Sequence, residues 1–210
     1  MPARGLYAIV DVGSLAPRGI DPLAFADAVL AGGPVAMQLR AKGLGAAETL
    51  GLLCALAPRC RERGVPLFAN DRVDLAVLAG ATGVHLGQTD LPVALARRVA
   101  PACLIGVSTH TEAQLEAALD ARPDYVAVGP VFATATKRDA EPTVGLTLVR
   151  RAVAASSVPV VAIGGLDEGR AAEVARAGAL VAVIGALLPT STALTEVTER
   201  ARHLQRVASP

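Results

Sequence analysis

Short apolar runs recur along this chain, and each is followed by a longer Ala/Leu-rich stretch with helical patterning. The short runs, at residues 6–10, 35–39, 66–69, 83–86, 104–107, 125–128, 159–163 and 180–184, predict strands. The longer stretches, at 22–31, 46–63, 73–79, 92–99, 111–121, 146–155, 168–177 and 192–206, predict helices. Asp21 ahead of Pro22 and Thr111 ahead of Glu112 act as start signals, a capping side chain before a residue suited to the first turn. The strand runs are near-continuously apolar rather than alternating, which indicates a parallel sheet covered on both faces. Eight strand–helix units of roughly 25 residues predict an α/β fold, a single (β/α)8 TIM barrel over residues 1–210. The alternative is an open doubly wound sheet, which uses fewer strands and usually carries G-x-G-x-x-G after the first. Here the first strand runs into Val10-Asp11-Val12-Gly13-Ser14, and no such fingerprint follows.

Composition narrows the function classes. Hydrophobic residues make up 52% of the chain, enough for a sizeable core, and no linker or charge run divides it. Aromatic residues are 2% and net charge is +1, which leaves little for base stacking or for attraction to nucleic acid or anionic lipid. The longest apolar run, residues 177–188, is too short to span a membrane, and residues 1–7 lack a signal-peptide core. Cys54, Cys60 and Cys103 have no metal-ligand spacing, and their odd number argues against a disulfide framework. They read as buried small apolar residues. The expectation is a soluble cytoplasmic protein, with homo-oligomerisation left open.

The polar residues then change the picture. The chain has two lysines, Lys42 and Lys137, and one asparagine, Asn70, and all three stand in polar clusters that follow predicted strands. Gln38, Arg40 and Lys42 follow the second strand, Asn70 and Asp71 the third, and His85, Gln88 and Asp90 the fourth. Ser108, Thr109 and His110 follow the fifth strand, Gly129 through Lys137 the sixth, Gly164-Gly165 the seventh and Gly185 the eighth. In a barrel these ends converge on the mouth where chemistry is placed. A guanidinium fork beside an ammonium suits phosphate oxygens, with Thr134, Thr136 and Ser108 as hydroxyl donors. Asp71 and Asp90 would repel a phosphate unless a cation lay between them, so a Mg²⁺ site is a reasonable reading. Each also has a plainer one: an ion pair from Asp71 to Arg72 or Arg40, and a helix cap at Asp90. Gly164-Gly165 and the turn after the eighth strand suggest a second, main-chain phosphate cradle, although paired glycines also make plain turns.

Gln38-x-Arg40-x-Lys42, Asn70-Asp71-Arg72, Gly83-Val84-His85-Leu86-Gly87-Gln88-x-Asp90, Gly106-x-Ser108-x-His110 and Gly129-Pro130-Val131-Phe132-x-Thr134-x-Thr136-Lys137, in that order, resemble the thiamine phosphate synthase family. The resemblance implies a barrel that joins a 4-amino-2-methylpyrimidine-5-methyl diphosphate to a thiazole phosphate, or its carboxylated form. The products would be thiamine monophosphate and pyrophosphate, with Mg²⁺ required. It further implies that Arg40, Lys42, Asn70, Ser108 and Lys137 hold the diphosphate. Of these, Lys137, Arg40, Lys42 and Ser108 would be catalytic through charge stabilisation. Asp71 and Asp90 would hold Mg²⁺, and Gln38 and His85 would border the pyrimidine. Thr134, Thr136, Gly164, Gly165 and the Ile184-Gly185 turn would receive the thiazole phosphate. One departure is Gly185, where the family usually has serine. Two rivals remain: a thiazole tautomerase of the same fold using His110 as acid and base, and a non-catalytic sensor of a phosphorylated ligand.

Overall fold

The computed structural model describes residues 2–134, 142–191 and 193–209. Among them, eight parallel strands pair in sequence order and close: β1 (Leu6–Asp11), β2 (Ala36–Arg40), β3 (Leu67–Asn70), β4 (Gly83–Leu86), β5 (Leu104–Thr109), β6 (Tyr125–Val128), β7 (Val160–Ile163) and β8 (Leu180–Val183). The predicted (β/α)8 TIM barrel is the observed fold. Its helices are α2 (Pro22–Ala31), α3 (Ala46–Glu62), α4 (Val73–Ala79), α5 (Val93–Val99), α6 (Glu112–Asp120), α7 (Gly145–Ala155), α8 (Glu168–Arg176) and α9 (Leu194–Val207), after a short α1 (Val12–Leu15). No helix among the described residues is long and apolar enough to cross a membrane.

The near-continuous apolarity of the strands has two destinations, because successive side chains point to opposite faces. Residues such as Ala8, Val10, Met37, Leu67 and Val84 face outward into the jacket of helices. Tyr7, Ile9, Phe68, Tyr125, Ala127, Val161 and Leu180 face inward and form a separate interior cluster. The rings of Tyr7, Phe68 and Tyr125, with centroids 5.3–5.9 Å apart, plug the barrel below its mouth. Gly106 makes room for this plug, because a Cβ there would collide with the Tyr125 ring.

The element ends follow their caps. Asp21 accepts the Ala24 N–H at 2.8 Å with Pro22 in the first turn, and Thr111 accepts the Gln114 N–H at 3.1 Å, as both start signals predict. The sequence reading did not anticipate α1, which Asp11 nucleates by accepting the Ser14 N–H at 3.1 Å. Cys60 and Cys103 are buried as expected, whereas Cys54 is exposed on α3, off the helix's buried face of Leu53, Leu56, Ala57 and Cys60. Burial pushes the Cys60 thiol up to about 11.

Candidate active site

The strand ends open into one cavity of about 770 Å³, within the range of small-molecule sites. Every predicted site residue that the structure describes lines it: Gln38, Arg40, Lys42, Asn70, Asp71, His85, Asp90, Ser108, Thr134, Gly164, Gly165, Ile184 and Gly185. Thr136 and Lys137 lie outside the described residues.

Arg40 ends β2 directly beside Asp11, its register partner at the end of β1. Its Nη1 donates to Asp11 Oδ1 at 2.6 Å, and Ser14 Oγ donates to Asp11 Oδ2 at 2.5 Å. Asp11 is 3% exposed, so this carboxylate is a buried anchor that aims the guanidinium and leaves its other N–H groups for an occupant. The sequence reading missed Asp11. The available signal was an acid closing an otherwise apolar strand, but its partner depends on the strand register.

Asp71 faces Lys42 Nζ at 3.6 Å, with a left-handed φ of 64° that aims the residue after β3 back over the mouth. Its carboxyl is held above the usual carboxylate range, first by burial and then by the facing Asp90, while Lys42 and Arg40 pull the other way. The plainer readings of both acids do not describe them. Arg72 pairs with Asp74 at 2.5 Å, Arg40 with Asp11, and the cap of α5 is Pro92. Asp90 instead accepts the Gly87 N–H at 2.7 Å, which turns its carboxylate toward Asp71. Among the described residues no three His, Cys, Asp or Glu side chains gather as a metal cage. Two acids whose mutual repulsion is only partly offset still fit Mg²⁺, which takes one or two carboxylates and completes its shell with phosphate and water.

Below these charges, His85 stacks on the Tyr125 ring and bridges it to β5. Its Nδ1 lies 2.8 Å from Tyr125 Oη and its Nε2 2.8 Å from Ser108 Oγ. Gln38 Nε2 donates to Tyr7 Oη at 3.0 Å, and the two phenol oxygens lie 2.9 Å apart. Burial drives both phenols well above their ordinary range, so both keep their protons. Tyr7 and Tyr125 were also missed. They are the only two tyrosines of the chain, each on a predicted strand, and that was the signal available. His110 also lines the cavity, with Nδ1 on the Gly129 carbonyl at 2.5 Å and its own N–H on Gln114 Oε1 at 2.7 Å. The first of these bonds ties the exit of β5 to that of β6, and the second ties it to α6.

The opposite side of the mouth is built from main chain. Gly164 and Gly165 follow β7 with φ of 106° and 64°, and a Cβ on Gly165 would collide with the Ala133 and Phe132 carbonyls. Arg170, on the first turn of α8, donates to the Gly165 carbonyl at 2.9 Å and lies over the Phe132 ring at 4.8 Å. After β8, Ile184 leads into a 3-10 turn at Gly185–Leu187, whose first N–H groups have no partner within the turn. Asp167 caps α8 by accepting the Arg170 N–H at 3.0 Å, so an anion here would rely on the two glycine turns.

Three comparisons with known proteins bear on this cavity. Residues 6–187 match the family model described as thiamine monophosphate synthase. The chain belongs to the thiamine monophosphate synthase family. A thiamine-phosphate synthase from Chloroflexus aurantiacus is 41% identical over 205 residues, covering 97% of this chain and 92% of that protein. Another, from Methanocella arvoryzae, is 39% identical over 206 residues, with 97% and 94% covered. Among solved structures, a thiamine phosphate pyrophosphorylase from Pyrococcus furiosus superposes with a TM-score of 0.85 at 32% identity, covering 97% of this chain and 95% of that one. The family match ends at Leu187, so it includes both halves of the mouth and excludes α9.

Proposed function

We propose that this chain joins a 4-amino-2-methylpyrimidine-5-methyl diphosphate to a 4-methyl-5-(2-phosphoethyl)thiazole, or its carboxylated form, releasing pyrophosphate and thiamine monophosphate. The observation that carries this reading is the set of facing acids, Asp71 and Asp90, beside Lys42 and the anchored Arg40. That arrangement suits a metal-bound diphosphate and has little use for a neutral ligand.

The bond from the methylene carbon to the diphosphate oxygen breaks, and its electron pair leaves with the diphosphate. Arg40, Lys42, Asn70, Ser108 and Lys137 stabilise the charge that develops there. Asp71 and Asp90 would hold Mg²⁺, which would supply further positive charge to the leaving group. The electron-rich aminopyrimidine, bordered by Gln38 and His85, carries the methylene cation until the thiazole nitrogen attacks it. No side chain has to act as a strong base. Thr134, Thr136 and the amides around Gly164-Gly165 and Ile184-Gly185 hold the thiazole phosphate. Small phosphorylated molecules are then the partners and the cytoplasm the setting, which a net charge of +1 supports over nucleic acid or membrane.

Mixing both substrates with Mg²⁺ and following pyrophosphate tests the reading. Release that needs both substrates and the metal is the expected result. Isomerisation of the thiazole without pyrophosphate would assign the tautomerase activity instead, and binding without any turnover would assign a sensor.

A further inference from the structure

Five side chains from five strands form one hydrogen-bonded file beneath the mouth. It runs from Gln38 through Tyr7, Tyr125 and His85 to Ser108, with no step longer than 3.0 Å. Its polarity can be counted through. Tyr7 receives the Gln38 amide proton and passes its own to Tyr125, which passes its proton to His85 Nδ1. The neutral imidazole then carries its proton on Nε2 and donates it to Ser108 Oγ. The Ser108 proton is left for an occupant of the cavity, and Gln38, with Nε2 engaged, offers Oε1 to the same cavity.

Each phenol has one proton, so Gln38 can turn its carbonyl oxygen to Tyr7 only if every other member turns with it. In the reversed state Gln38 gives its carbonyl oxygen to Tyr7, and Ser108 donates to His85. The two ends, on β2 and β5, therefore cannot choose independently. A diphosphate oxygen is an acceptor and needs the Ser108 proton, which sets the whole file and leaves Gln38 as an acceptor facing the base.

We propose that Tyr7 and Tyr125 are positioning residues that set substrate specificity, by making diphosphate binding at Ser108 and acceptance of an exocyclic amino group by Gln38 one coupled event. This rests on the proposed function, which puts the diphosphate at Ser108 and the pyrimidine at Gln38. A deaminated pyrimidine carries an oxo acceptor where the amino donor stood. Gln38 can serve it only by turning over, which takes the Ser108 proton away from the diphosphate.

The test compares kcat/KM for pyrophosphate release from the amino and the deaminated oxo pyrimidine diphosphates. In parallel, ¹⁵N NMR reads the His85 tautomer with inorganic pyrophosphate and Mg²⁺ bound. The wild type is expected to prefer the amino substrate by about 100-fold or more, with His85 protonated on Nε2. Tyr7→Phe keeps the aromatic plug but disconnects Gln38, so the preference should fall to about tenfold or less while the tautomer persists. Tyr125→Phe, a second variant that also keeps its ring, should lower the preference and disturb the tautomer. The inference is overturned if an active wild type and both variants share one preference, or if His85 carries its proton on Nδ1. A wild type that releases no pyrophosphate from the amino substrate instead overturns the proposed function, and this inference with it.

Discussion

Under the proposed function, the two halves of the mouth solve the same problem, holding phosphate, with different materials. From β2 to β5 the work falls to side chains, each steadied by another: Arg40 by Asp11, Lys42 by Asp71, Ser108 by His85. From β6 to β8 it falls mainly to glycine turns, with Thr134 adding a side chain and Arg170 bracing the Gly165 carbonyl. The difference follows from the chemistry assigned to each half. A leaving group gains charge during the reaction, so mobile cations and a metal are useful there. A phosphate that only anchors a substrate keeps its charge, and fixed amide dipoles suffice. The side-chain half should therefore fail in rate, and the main-chain half in affinity.

Four substitutions break or sharpen that contrast. Arg40→Ala should lower kcat/KM by about 10³-fold, with most of the loss in kcat. Arg40→Lys should not restore it, because an ammonium cannot reach both Asp11 and the diphosphate as the fork does. The same change in the main-chain half, Gly165→Ala, should raise KM for the thiazole phosphate by about tenfold with kcat nearly kept, and cost about 1–3 kcal/mol of stability from strain. Gly185 has no positive φ, so Gly185→Ser fits its backbone and should tighten the thiazole phosphate by about two- to fivefold through one added hydroxyl. Steady-state kinetics with each substrate varied in turn checks all four.

The smallest effect is on stability. Asp71→Asn should raise the unfolding free energy of the metal-free protein by up to about 1 kcal/mol at neutral pH, while removing its Mg²⁺ response. The sign follows from the raised carboxyl of Asp71. The folded state binds that proton more tightly than the unfolded chain does, so wild type gains on the variant as pH falls. The difference should shrink from pH 7 toward about pH 4. Thermal unfolding of both proteins in chelator across that range is the check.

Much of this contrast is legible in the sequence. Parallel strands covered on both faces leave apolar runs that a single sequence displays, and polar residues at the ends of such runs must meet once the barrel closes. That is why Arg40, Asn70, His85, Ser108 and Gly165 could be named and why all of them line one cavity. What escaped notice were the links between strands. Asp11 meets Arg40 through the β1–β2 register, and Tyr7 meets Tyr125 across the closed barrel at a separation of 118 residues. Neither pairing has a local pattern. The short α1 escaped for a related reason, since one capping carboxylate both starts the helix and anchors Arg40.

The division of the mouth is tested most directly by calorimetric titration of pyrophosphate and of the thiazole phosphate, each with and without Mg²⁺. Pyrophosphate should bind about tenfold or more tightly with the metal, while the thiazole phosphate should be indifferent to it. Equal Mg²⁺ dependence for the two ligands, or pyrophosphate binding unchanged by Mg²⁺, would contradict the account.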